Sequence, residues 1–248
     1  MTLRLDVALA KRGLASSRSQ AAEWIRGGRV TVDGVVQCKP SVLVPLDAVL
    51  AADAGEGFVS RAGIKLAHAL DVFSVSPGGL CVLDVGASTG GFTDCLLRRG
   101  ARKVWAVDVG HGQLAPSLRG DARVVLTEGV NARDLSPETL GGTADMAVID
   151  VSFISQRLIL PAVTGCLNGG APIISLIKPQ FEAGRGNVGK GGVVRDARIH
   201  ARVTDELGAF AEGIGLKVLG TVESPIPGGD GNKEFLMYMV TDREVNTR

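Results

Sequence analysis

The chain is poor in the residues that hold metals or covalent cross-links. Its four cysteines, Cys38, Cys81, Cys95 and Cys166, lie far apart with no C-x-x-C. Its three histidines, His68, His111 and His200, neither cluster nor pair with a cysteine at metal-ligand spacing. The common zinc and disulfide frameworks are thereby excluded, no metal is expected, and a reducing, cytoplasmic compartment is indicated. The opening residues, Met1-Thr2-Leu3-Arg4-Leu5-Asp6, lack the apolar core of a secretory signal. No membrane span is expected either, because the most apolar long window, residues 146–167, is broken by Asp150 and Arg157. Net charge is nearly absent, at +1 over 248 residues, but it is unevenly placed. Residues 1–40 hold seven Lys/Arg (Arg4, Lys11, Arg12, Arg18, Arg26, Arg29, Lys39) against three acids (Asp6, Glu23, Asp33), a local +4. That is the footprint of a small basic unit for a polyanion on an otherwise neutral body.

What is present suffices for a packed protein: 45% hydrophobic and 21% charged residues give ample core and argue against disorder. Leu5, Ala8 and Leu9 fall at helical spacing. Ser17 and Gln20 have the spacing of a capping box, followed by the apolar stripe Ala21, Ala22, Ile25 and a stop at Gly27-Gly28. Val30-Thr31-Val32, Asp33-Gly34 and Val35-Val36 then read as a hairpin. Two short helices and a hairpin make too small a core for a catalyst but enough for a recognition module. The string Arg4-Leu5-Asp6, Leu9, Ser17-Arg18, Ala21, Ile25, Gly28, Val30, Val32, Asp33-Gly34 resembles an S4-type RNA-binding domain over residues 3–50. The resemblance implies that Arg4, Lys11, Arg12 and Arg18 contact RNA phosphates, a task that the fixed donor fork of arginine suits.

Residues 51–59 are small and glycine-containing, and a second domain is expected from Ser60, which divides the chain into 1–54, a linker at 55–59, and 60–248. Residues 61–73 read as a helix, with Leu66, Leu70 and Phe73 at i, i+4, i+7. Lys65 lies beside that stripe and points either into a pocket or into solvent. From residue 80, apolar runs of parallel-strand type at 81–84, 104–108, 124–126, 146–150 and 172–178 alternate with helical patterns at 94–99, 112–119 and 155–167. A helix at 197–212 and runs at 216–222 and 235–240 close the domain. The expected fold class is α/β, an open, Rossmann-like sheet with helices on both faces, preceded by the small α+β module.

Four of the runs end in charge: Asp84, Asp108, Asp150 and Lys178. In an open α/β sheet these ends share one rim, where ligands bind, and ionised groups at a core edge are costly unless paired or used. After Asp84 comes a turn, Gly86-Ala87-Ser88-Thr89-Gly90-Gly91, whose G-x-x-x-G-G spacing differs from the G-x-G-x-x-G of dehydrogenases and suits S-adenosylmethionine better than NAD. A glycine turn with no ligand is the alternative. Asp84 can orient the turn. Gly86 and Gly90 let the backbone approach the methionine part of the ligand. Asp108 can accept the ribose hydroxyls, with a helix cap as its other reading, and Asn131 can read the adenine edge. Lys178 sits in an apolar setting that favours the neutral amine a general base requires. Beyond it, residues 183–195 form a glycine-rich loop with Arg185, Lys190 and Arg195, suited to closing over an RNA strand.

These pieces together resemble the TlyA (hemolysin A-type) family of ribosomal RNA cytidine 2′-O-methyltransferases, in which an S4-like domain precedes an FtsJ-like catalytic domain. The motifs that carry the likeness are Ser60-Arg61 with Lys65, residues 86–93 of the turn, Asp108-Val109-Gly110-His111-Gly112-Gln113-Leu114, Asp150-Val151-Ser152-Phe153-Ile154-Ser155, Lys178-Pro179-Gln180-Phe181-Glu182, and Gly231-Asn232 before Glu234. The family's K-D-K-E tetrad falls on Lys65, Asp150, Lys178 and Glu234. The resemblance implies Lys178 as base, Lys65 steadying the developing alkoxide, Asp150 and Glu234 holding the two ammonium groups, and no metal. It implies S-adenosylmethionine as methyl donor, bound by Asp84, Gly86, Ala87, Ser88, Thr89, Gly90, Phe92, Asp108 and Asn131. The implied partner is ribosomal RNA within ribosomal subunits.

The segment Glu56-Gly57-Phe58-Val59 departs from the basic, tryptophan-containing linker of mycobacterial members. The stretch after the last apolar run is short, which in the family goes with large-subunit (23S) rRNA alone. The N-terminus is not correspondingly short, so small-subunit (16S) rRNA stays open. A non-catalytic RNA-binding or ribosome-assembly factor is the rival reading, with a cytolysin behind it.

Overall fold

The computed structural model describes residues 2–15, 17–52, 57–228 and 231–242. Its first part runs β1 (Thr2–Arg4), α1 (Leu5–Lys11), α2 (Arg18–Arg26), β2 (Val30–Val32), β3 (Val35–Gln37), β4 (Leu43–Pro45) and β5 (Leu50–Ala52). Ser17 caps α2 as its spacing predicts, its Oγ accepting the Gln20 N–H at 3.1 Å. The expected hairpin joins β2 to β3, with φ of 51° at Asp33 and 80° at Gly34, the left-handed pair of a type I′ turn. Leu5, Leu9, Ala21, Ile25, Val30 and Val44 close one small core. The sequence reading has no counterpart of β1, β4 or β5. Each is three residues long, too short for alternation to register, and each exists through its partner: β1 pairs with β4, and β5 with β2.

The remainder opens with α3 (Ala62–Val72) and continues β6 (Cys81–Val85), α4 (Gly91–Arg98), β7 (Lys103–Asp108), α5 (Pro116–Arg119), β8 (Val124–Glu128), α6 (Pro137–Leu140), β9 (Met146–Ile149), α7 (Leu160–Gly165), β10 (Pro172–Ile177), α8 (Pro179–Glu182), α9 (Ala197–Gly213), β11 (Leu216–Glu223) and β12 (Phe235–Thr241). Seven strands form one sheet in the order β11-β12-β10-β9-β6-β7-β8, parallel except for β12, which runs antiparallel to both neighbours. Alternate residues of each strand face opposite layers. Leu83, Val85, Ile149 and Ile173 pack with Leu160, Val203 and Leu207 from α7 and α9. Val82, Met146, Val148 and Ile174 pack with Leu66, Leu70, Phe92 and Leu96 from α3 and α4. This is the open, Rossmann-like α/β sheet that the alternating runs predict. Successive strands step outward from β6 in one direction and from β9 in the other, so the strand order reverses between them. That reversal opens a crevice at their carboxyl ends.

Two helices are shorter than the sequence predicts. Of residues 112–119 only Pro116–Arg119 is helical, because Gly112 takes φ 72° and Ala115, preceding a proline, is extended at ψ 139°. The stretch 155–167 breaks into a 3-10 turn, Gln156–Leu158, and α7, whose second residue is Pro161. Proline has no N–H to donate and its ring crowds the carbonyl four residues back, so it begins the second helix and cannot continue the first.

Candidate active site

The glycine turn leaves β6 and enters α4 at the crevice. Gly86 has φ 89°, and a Cβ on it would stand 2.4 Å from the Asp150 carbonyl oxygen, so only glycine lets the ends of β6 and β9 meet. Ser88 holds the left-handed region at φ 47° without being glycine. Two contacts hold it there. Its N–H donates to Asp108 Oδ2 at 2.7 Å, and its hydroxyl donates to Gln113 Oε1 at 3.1 Å. The other Asp108 oxygen accepts the Gly110 N–H at 2.7 Å, so this carboxylate joins the turn to the loop after β7.

Asp84 stands behind the turn. It is fully buried, accepts the Thr93 hydroxyl at 2.6 Å, and lines neither cavity described below. Burial pushes its carboxyl up to about 7, with Asp150 and Asp108 adding to the rise and the Thr93 hydrogen bond opposing it. Its side chain ties the end of β6 to α4 through Thr93.

Two cavities adjoin at Gly86, Ser88 and Asp150. The first, about 390 Å³, is walled by Val107, Val109, Val130 and Ile154, with Asp108, Gln113 and Asn131 as its polar points. The second, about 230 Å³, gathers Ala87, Thr89 and Phe92 of the turn region with Arg61, Lys65, Asp150, Lys178 and Glu234. Gly90 lines neither and serves as the N-cap of α4, with φ 95°.

The four charged residues form two pairs. Lys65 on α3 is buried and ion-paired with Glu234, equally buried just ahead of β12. Lys178 follows β10 and Asp150 follows β9. Lys178 Nζ lies 2.6 Å from Asp150 Oδ1, off the axis of a hydrogen bond, and donates its aligned bond to Ser152 Oγ at 2.8 Å. The antiparallel course of β12 explains Glu234. The start of that strand, and not its end, lies at the carboxyl rim of β10.

Residues 150–156 are latched from the far side. Glu182 accepts the Ser155 hydroxyl at 2.6 Å and the Gln156 N–H at 2.7 Å, and Gln156 Nε2 donates to the Leu176 carbonyl at 2.7 Å. Phe153 stands at the mouth of the first cavity, 91% exposed, with φ 64° and its ring centroid 4.9 Å from that of Phe181. In the sequence a phenylalanine beside Ile154 reads as core, so its residue type gives no sign of this exposure. Farther along, buried Asn232 holds the glycine-rich loop, accepting the Val194 N–H at 3.0 Å and donating to the Gly192 carbonyl at 3.0 Å.

In the N-terminal part, Asp6 draws Arg4 and Arg18 together, at 3.0 and 3.2 Å. The Arg4 hydrogen bond, ahead of the Arg18 bond, holds the Asp6 carboxyl at about 2 despite its burial. Lys11 is exposed. Arg12 differs from the other three: it donates to the Leu46 and Ala48 carbonyls, each at 2.6 Å, which turns two of its nitrogens inward to brace the loop between β4 and β5. Among the described residues no helix is long and apolar enough to cross a membrane, and no group of His, Cys, Asp and Glu is placed to hold a metal.

Comparison with known proteins places both parts of the chain in known families. Residues 58–240 match the FtsJ-like methyltransferase family and residues 3–50 match the S4 domain. The chain is 47% identical to the 16S/23S rRNA (cytidine-2′-O)-methyltransferase TlyA of Mycobacterium tuberculosis, over 99% of this chain and 93% of that one. It is 41% identical to Hemolysin A of Brachyspira hyodysenteriae, over 96% of this chain and all of that one (100%). The structure of a putative hemolysin from Streptococcus thermophilus superposes with a TM-score of 0.74 at 42% identity, covering 99% of this chain and 92% of that one.

Proposed function

The chain belongs to the FtsJ-like methyltransferases of the TlyA type, and from that premise we propose that it methylates a cytidine 2′-hydroxyl of ribosomal RNA, with Lys178 as general base. In this reading residues 1–54 bind RNA, 55–59 link, and 60–248 carry out the transfer in the cytoplasm, on ribosomal subunits. The observation that carries it is the convergence of Lys65, Asp150, Lys178 and Glu234 with the glycine turn on one small cavity.

The adjoining cavities suit S-adenosylmethionine. The larger has apolar walls for a purine, with Asn131 and Asp108 as polar points for the adenine edge and the ribose hydroxyls, while the smaller is polar and meets it at Gly86. Bound there, S-adenosylmethionine supplies a methyl group on a positively charged sulfur and is left as the neutral thioether once that carbon–sulfur pair returns to sulfur.

A ribose hydroxyl is a weak nucleophile at neutral pH. Lys178 Nζ takes its proton, freeing an oxygen pair to form the new C–O bond, and the resulting ammonium releases the proton to water. Asp150 holds Lys178 in place, and Lys65, itself fixed by Glu234, faces the oxygen as negative charge develops. Alignment of oxygen, methyl carbon and sulfur supplies much of the rate. Phe153 offers a flat face on which the target base can stack once out of its helix. Arg4 and Arg18, gathered by Asp6, contact phosphate together with Lys11.

The test is incubation with labelled S-adenosylmethionine and isolated ribosomal subunits, followed by mapping of 2′-O-methyl groups on both rRNAs. Large-subunit rRNA is the expected acceptor, with small-subunit rRNA as the second arm. Absence of transfer to either, with intact RNA binding, supports a non-catalytic assembly factor instead.

A further inference from the structure

One polar side chain outside the tetrad touches the proposed base directly. Ser152 follows Asp150 by two residues and accepts the aligned hydrogen bond of Lys178 Nζ at 2.8 Å. We propose that Ser152 is a positioning residue that sets the rotation of the Lys178 amine and so aims its lone pair at the substrate hydroxyl. The proposal rests on Lys178 being the base.

The argument is geometric. A neutral amine carries two N–H bonds and one lone pair in three staggered positions around the Cε–Nζ bond, and it turns freely unless something fixes it. The Asp150 carboxylate lies 2.6 Å from Nζ but outside hydrogen-bond alignment, so it anchors the nitrogen and biases its rotation without fixing it. Ser152 Oγ does fix it, because it takes one N–H along a defined direction. The negative charge of Asp150 repels a lone pair and draws the second N–H to its own side. The third position, left to the lone pair, is the one remaining for the substrate. Without Ser152 the amine samples rotations in which an N–H, and not the lone pair, meets the incoming hydroxyl.

Ser152 does not hold up the fold. Its side chain is exposed, and the loop that carries it is secured separately by Glu182 through Ser155 and Gln156. Removal of the hydroxyl therefore leaves Asp150 and the loop in place.

The experiment measures single-turnover methyl transfer to ribosomal subunits for wild type, Ser152→Ala, Ser152→Thr and Lys178→Met, with binding of S-adenosylmethionine and RNA measured on each. Ser152→Ala is expected to slow transfer roughly 10- to 100-fold, the scale of a small misplacement of reacting groups, with both affinities unchanged. Ser152→Thr, which keeps the hydroxyl, is expected to restore most of the rate. Wild-type transfer by Ser152→Ala alongside an inactive Lys178→Met overturns the positioning role and leaves the base assignment standing. Wild-type transfer by Lys178→Met overturns both. Loss of cofactor or RNA affinity in step with rate, or failure of threonine to rescue, makes Ser152 a structural or binding residue and also overturns the proposal.

Discussion

Glu234 meets Lys65 across 169 residues of sequence, and both side chains are buried. Among the described residues each has the other as its ion-pair partner, so each depends on the other. Removing one partner of such a pair costs about 3–5 kcal/mol, because it strands the remaining charge in a dry site. Glu234→Gln and Lys65→Met should each lower stability on that scale in urea titrations. Lys65→Met combined with Glu234→Leu should recover most of the loss while remaining inactive. Equal stability of Glu234→Gln and wild type would show that the pair is wetter than its burial implies.

Asp84 should make the protein less stable as pH rises toward neutrality. Burial lifts its carboxyl from 3.8 to about 7, so folding favours the protonated form. That contribution is complete below pH 3.8 and fades as pH climbs through about 7. Asp84→Asn has no proton to lose there. As pH rises from 3.8 to about 7 the Tm of wild type is therefore expected to fall relative to that of the variant and then to level off, and parallel Tm curves would contradict the burial argument.

The four basic residues of the N-terminal part should separate by salt dependence. Arg4→Ala, Lys11→Ala and Arg18→Ala should each flatten the slope of log K against log salt by about 0.7–0.9, the value of one lost phosphate contact. Arg12→Ala should keep the slope and instead lose about 1–3 kcal/mol of stability, since its donors are committed to the Leu46 and Ala48 carbonyls. RNA titrations at several salt concentrations beside thermal melts distinguish the two outcomes.

Phe153→Ala should leave the melting curve unchanged, because the ring is exposed, while weakening methyl transfer by the worth of one base stack, about 1–3 kcal/mol. Phe153→Trp should retain activity. An alanine variant with full transfer rate would remove the ring from the reaction.

The sheet and its charged rim are legible in the sequence for a common reason. Each parallel strand is an apolar run with a sharp end, so Asp108, Asp150 and Lys178 announce both a strand boundary and a place on the rim. Glu234 is not legible by that rule, because β12 runs the other way and puts its first residues there; only the family resemblance indicated it. The strands β1, β4 and β5 are invisible because three residues carry no period. The break in residues 112–119 is written in Pro116, but helical periodicity outvotes it when the stretch is read alone. Ser152 and Phe153 are not legible in the sequence because they stand out by a hydrogen bond and a backbone angle, neither of which a residue type encodes.

β12 has a consequence for how the enzyme comes into being. The strand is the last element in chain order among the described residues, yet it lies inside the sheet, between β10 and β11. Until it threads into that slot, Lys65 has no counter-ion and the crevice lacks one of its walls. A chain that stops short of Glu234 thus lacks both the counter-ion of Lys65 and the strand that joins β10 to β11. The last described strand therefore completes the sheet and the charged rim together.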